Sequence, residues 1–210
     1  MALNLSTASK TQGLEVIPAG TLVTLVMKIR AGTIGVEGLC KRSSKGDSEG
    51  VNIEYSVKGG EHDGCKVYAF QILDGTTAGH AKAAGITRAL LRAIYEAVNA
   101  IDPKDESPEA DARRNSATLP GFNGATFLAT LDVEPGGQRP DGNGHYRDKN
   151  VIGKILRVGD KGYRRLDQPP PMPVERSAPP APTTAGSPAG PDGAPAVAPT
   201  AIARPHWGQD

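Results

Sequence analysis

Cysteine is close to absent from this 210-residue chain. The only two, Cys40 and Cys65, cannot form a disulfide framework, and such sparing use suits a reducing compartment. No stretch reaches the 18 or so consecutive apolar residues of a membrane span. The opening, MALNLSTASKTQGLEV, has no continuous apolar region, so no secretory signal is expected there. An excess of charge of either sign is missing too. The formal net charge of +1 does not announce a nucleic-acid binder, although the local arrangement of charges, rather than their sum, sets the field a ligand meets. Aromatic residues make up only 4% of the chain, with one Trp at position 207, so each ring can be weighed singly.

What is present falls into two parts. Residues 16–167 carry periodic apolar patterns and are of ordinary single-domain size, enough to bury a core without covalent staples. Residues 168–210 contain PPPMP and APPAP among scattered Gly, Ala, Ser and Thr. That composition offers too little apolar surface to offset the entropy of ordering, so a disordered tail is expected. It ends in ARPHWGQD, where Trp207 could anchor a partner; a linker or solubilising tail is the plainer reading.

Within the body, VIPAG at 16–20 is a turn-like entry, and TLVTLVMKIR (21–30) reads as a strand with Val23, Leu25, Met27 and Ile29 on one face. A Gly-rich loop over 31–50 carries KRSSKGDSEG. VNIEYSVK (51–58) alternates Val51, Ile53, Tyr55 and Val57 against Asn52, Glu54, Ser56 and Lys58. The turn GGEHDG leads it into a returning strand, CKVYAFQIL (65–73), completing a β-hairpin. On that strand Lys66, Tyr68, Phe70 and Ile72 oppose Cys65, Val67, Ala69 and Gln71, and neither row is purely polar. From 81 to 100 the period becomes helical, with Ile86, Leu90, Ile94, Ala97 and Val98 in a stripe that Asp102-Pro103 ends. Further strands are expected at 122–134 and 150–158, separated by a polar Gly-rich loop. Five strands and one helix after the third predict a mainly β fold: a small five-stranded oligonucleotide-binding-type barrel closed at one end by the helix. An open roll of strands against the helix is the alternative.

VIPAG, the turn GGEHDGCKVYAF and the segment AKAAGITRALLRAIYEAVNAIDPKD together resemble a phage family of single-stranded-DNA-binding proteins, formerly described as a domain of unknown function. Gly60, Glu61, Gly64 and Lys66 match its G-E-x-x-G-x-K turn. Ile86, Arg88 and Ile94 fall in its helix pattern, which Asp102 and Pro103 close. Tyr146, Asp148 and Asn150 resemble its Y-x-D-x-N approach to the last strand. The likeness covers most of 16–158; the longer connector at 106–118 and the tail depart from it. It implies an oligonucleotide-binding fold in the cytoplasm of a bacterial host cell, working in phage or prophage recombination or replication. A recombinase, nuclease or helicase would be its partner, and self-association into a homo-oligomer is open.

Holding single strands needs cations along the phosphate path and aromatic faces for unstacked bases. The candidates are Lys28 and Arg30 on the first strand, Lys41, Arg42 and Lys45 in the first loop, and Lys66 with Tyr68 and Phe70 on the hairpin. Tyr146 and Arg147 in the late loop, and Lys154 and Arg157 on the last strand, complete the set. Tyr55 lies on an apolar row and reads as core. An adaptor that recruits a recombination or replication partner is the alternative function. No catalytic residues, cofactor or metal are expected. KRSSKG lacks the phosphate-loop pattern G-x-x-x-x-G-K-[ST]. His62, Cys65, Cys40 and His80 have no repeating ligand spacing, and the acidic run at 102–111 reads as solvated charge.

Overall fold

The computed structural model describes residues 16–139 and 142–167. The expected tail, with Trp207, lies outside the described residues. Strand β1 (Leu22–Ile29) buries Val23, Leu25, Met27 and Ile29, the row that alternation assigns to the core. Strand β3 (Ser48–Val57) pairs antiparallel with β1, setting Met27 opposite Tyr55 and Lys28 opposite Glu54. Strand β4 (Lys66–Gly75) returns along the remaining edge of β3, with Tyr68 opposite Glu54 and Phe70 opposite Asn52. A three-residue strand, β2 (Cys40–Arg42), pairs with β3 beyond the end of β1. Strands β5 (Thr126–Glu134) and β6 (Lys149–Ile155) extend the sheet on the far side of β1, giving the order β2-β3-β1-β5-β6 with β4 on β3.

This architecture corrects the expected fold. Among the described residues there are six strands rather than five, and two α-helices rather than one. The sheet is open and antiparallel and is not an oligonucleotide-binding barrel. β4 and β6 come within 8 Å at some Cα positions, yet no ladder joins them. Helix α1 (Ala78–Asn99) packs against β4, β5 and β6, so the helix rather than a closing ladder covers the core there. Strands packed openly against the helix are the nearer description. The mixed α-and-β domain therefore does not have the fold that the resemblance to the phage family implied.

Thr77 caps α1, its side-chain oxygen accepting from the His80 amide at 3.1 Å, and Ala100 ends it with a left-handed φ of 52°. The buried face of α1 includes Ala84, Thr87, Ile94, Glu96 and Ala97, whereas Ile86 is 62% exposed. The expected stripe is thus out of phase at its start. Two polar residues sit inward instead: Thr87, which donates to Gln71 Oε1 of β4 at 3.2 Å, and Glu96.

Glu96 is fully buried and held by three guanidinium groups: Arg92 at 2.8 Å, Arg114 at 2.9 Å and Arg157 at 3.1 Å. Burial pushes its carboxyl upward, but the hydrogen bonds from Arg92, Arg114 and Arg157 outweigh that and hold it below its ordinary value. Arg114 belongs to helix α2 (Pro108–Asn115), within the segment read from sequence only as a charged connector. Ser107 caps α2, Pro108 opens it, Glu109 and Asp111 lie in its first turn, and Arg113 and Arg114 in its last. Among the described residues no helix is long and apolar enough to cross a membrane.

Candidate nucleic-acid interface

The pleat that turns Val23, Leu25, Met27 and Ile29 inward turns Lys28 the other way, and the same holds for Asn52 and Glu54 on β3. On β4, Val67 is buried while Lys66, Tyr68 and Phe70 are exposed, which decides between the two rows of that strand. Register then aligns these outward groups in lines across three strands. Lys28, Glu54 and Tyr68 form one line. Arg30, whose amide donates to the Asn52 carbonyl at 2.9 Å, forms the next with Asn52 and Phe70. Lys41 on β2 stands opposite Gly50. A Cβ at Gly50 would meet the Gln71 carbonyl oxygen and approach Phe70 Cζ to 2.8 Å, so the bare backbone there makes room for the ring.

Arg30, Lys41, Asn52, Tyr68, Ala69 and Phe70 line a groove of about 500 Å³. Tyr68 is 56% exposed and Phe70 42%, in a protein with few rings. Aromatic side chains left in water forfeit the burial that usually places them inside. The Arg30 guanidinium lies 5.8 Å from the centre of the Tyr68 ring, a cation–π distance that fixes the positive charge beside an aromatic face. Lys66 Nζ sits 2.7 Å from Glu54 Oε1. That hydrogen bond, with the charge of Glu54, holds the Lys66 ammonium above its ordinary pKa. The groove thus offers two exposed π-faces, two cations and an amide.

Comparison with family models, with curated proteins and with solved structures found no match for this chain. Together with the open sheet, this leaves the short matches of the phage family's pattern without a shared fold behind them.

Other candidates named from sequence lie elsewhere or are already engaged. Arg42 pairs with Glu49 at 2.7 Å, and Lys45 is exposed in the turn between β2 and β3. Lys154 pairs with Asp160 at 2.6 Å. Arg157 serves the buried Glu96, so its charge is spoken for by the core. Tyr146, 56% exposed, and the exposed Arg147 stand in the β5–β6 loop and do not line the groove. Arg139 reaches across that loop to within 5.7 Å of the Tyr146 ring centre, making a second cation–aromatic pair. Gly136 allows the crossing, since a Cβ there would overlap the Tyr146 carbonyl.

Asn52 and Arg139 were not picked out by sequence. Asn52 was legible in principle, because it shares the polar row of its strand with Glu54. Arg139 had no such signal; only the bridge between Gln138 and His145 brings it near Tyr146. His62, Cys65, Cys40 and His80 form no metal site: among the described residues no group of three His, Cys, Asp or Glu could hold an ion. A separate groove of about 770 Å³ is lined by Val36, Leu73, Leu91, Tyr95, Leu119 and Phe122, with Arg88 and Arg92, and shares no residue with the first.

Proposed function

We propose that this protein binds single-stranded DNA without cleaving it, through the outward face of β1, β2, β3 and β4. The observation that carries this reading is the pair of exposed rings, Tyr68 and Phe70, in one groove with Arg30 and Lys41. Unpaired bases stack on such rings whatever their sequence, and phosphates gain by displacing counterions from the cations. A duplex keeps its bases stacked on one another and cannot present them to Tyr68 and Phe70. The protein therefore prefers single strands and serves processes that expose them, recombination and replication among these. Fluorescence anisotropy with labelled single-stranded and duplex oligonucleotides across a salt series tests this. Equal affinity for both, or no binding to either at low salt, overturns it.

A second reading, an adaptor that recruits a recombination or replication protein, is favoured by the separate groove beside α1 and α2. Its lining is mainly apolar, and Arg88 and Arg92 stand one helical turn apart on α1. Retention of such a partner on immobilised protein after nuclease treatment, lost in Arg88→Glu, supports it; retention that nuclease abolishes does not.

A further inference from the structure

The single-strand reading leaves one charge on the binding face unexplained. Glu54 is a carboxylate on a surface meant for phosphates, only 9% exposed, in the middle of the line Lys28, Glu54, Tyr68. Its partner Lys66 was named from sequence as a phosphate contact, yet its ammonium is 2.7 Å from Glu54 Oε1. A phosphate arriving at Lys66 would have to approach Glu54 as well, and like charges at such range oppose one another. Arg30 and Lys41, which line the groove with Tyr68 and Phe70, meet no carboxylate in any ion pair seen among the described residues.

Resting on that reading, we propose that Glu54 is a positioning residue that keeps phosphate away from the Lys66 side of Tyr68. It neutralises Lys66 in advance and directs the backbone of the strand to Arg30 and Lys41. The groove then has two lanes. Phosphates follow Arg30 and Lys41, and bases lie over Tyr68 and Phe70, where a carboxylate repels the backbone but not a neutral ring. Glu54 in this way sets which part of a nucleotide occupies which side of the face. Lys66 is a brace for Glu54 rather than a contact to the strand.

The salt dependence of binding separates this from the simpler view. Each phosphate newly neutralised on a single strand steepens the plot of log affinity against log salt by about 0.7. In Glu54→Gln, which keeps the shape and removes the charge, Lys66 is released. Binding to a labelled single-stranded oligonucleotide is expected to tighten by about fivefold, with a slope steeper by about 0.7. Lys66→Ala exposes Glu54 and is expected to weaken binding while keeping the wild-type slope. The double variant Glu54→Gln/Lys66→Ala is expected to return close to wild-type affinity.

A slope unchanged in Glu54→Gln, or one shallower by about 0.7 in Lys66→Ala, overturns the proposal, since Lys66 would then already hold a phosphate. Lys66 is exposed, so its variant reports even if the change at Glu54 prevents folding, which circular dichroism shows. Wild-type protein that binds no single strand removes the underlying function. Wild-type protein that binds, with either slope contrary, removes only the role of Glu54.

Discussion

Tyr55, Tyr68 and Phe70 lie on neighbouring strands, and the two-residue pleat sends them to opposite sides of one sheet. Tyr55 is fully buried, its ring edge-on to Phe127 with centres 6.2 Å apart, while Tyr68 and Phe70 face outward. Their substitutions should therefore separate. Tyr68→Ala and Phe70→Ala are each expected to weaken single-strand binding by about 1–3 kcal/mol, the worth of one stacked base, with little change in melting temperature. Anisotropy and thermal denaturation on the same samples check both halves of that statement. Tyr55 makes the contrast sharper. Burial raises the pKa of its hydroxyl, and that oxygen has no hydrogen-bond partner among the described residues. An unpaired buried hydroxyl costs stability that its removal restores. Tyr55→Phe is expected to stabilise the fold by about 1 kcal/mol in urea denaturation and to leave binding untouched.

At the scale of elements, Glu96 joins α1, α2 and the chain beyond β6 through three arginines. Glu96→Gln would leave those cations without their carboxylate, and a broken buried ion pair costs about 3–5 kcal/mol. The effect also depends on pH. Because the folded carboxyl titrates below its ordinary value of 4.5, its contribution is complete above that pH and fades as the pH falls through the lowered folded value. Denaturation measured from neutral pH downward should show the gap between wild type and Glu96→Gln narrowing only in the acid range. Asp47, Asp105 and Asp160 are depressed in the same direction, so the difference between the two proteins, not the full curve, isolates Glu96.

These same elements show what the sequence could reveal. Alternation located the inward row of β1 because Val, Leu, Met and Ile there meet polar or half-polar neighbours on the outward side. It also placed Tyr68 and Phe70 on one row with Lys66, leaving only the direction of that row open. Helix α2 escaped because it has caps and ordered charges but buries only Ala110, so it offers no apolar period. The phase of α1 is misread at Ile86 because the next residue, Thr87, takes the inward position and donates to Gln71 of β4; Glu96, near the other end of the helix, likewise fills an inward position that pattern reading reserves for apolar side chains. The barrel was inferred from strand count and order. Closure instead depends on whether β4 and β6 exchange hydrogen bonds, and no local pattern encodes that.

For the molecule as a whole, a net charge of +1 adds little long-range attraction for a polyanion beyond what local clusters of cations supply. Many of its cations are also committed: Arg42 to Glu49, Lys66 to Glu54, Lys149 to Glu134, Lys154 to Asp160, and Arg92, Arg114 and Arg157 to Glu96. On the proposed function, binding rests on a few local cations plus the rings, and the expected salt response is shallow for a nucleic-acid binder and divided unevenly among residues. Lys41 is exposed and lines the groove, so Lys41→Ala is expected to lower affinity for all single-stranded sequences alike and to reduce the salt slope by about 0.7. Tyr68→Ala should lower affinity at every salt concentration and leave the slope as it was, because a ring releases no counterions. If the two variants instead shift affinity and slope together, cation and ring do not occupy separate lanes and the strand crosses the sheet by another path.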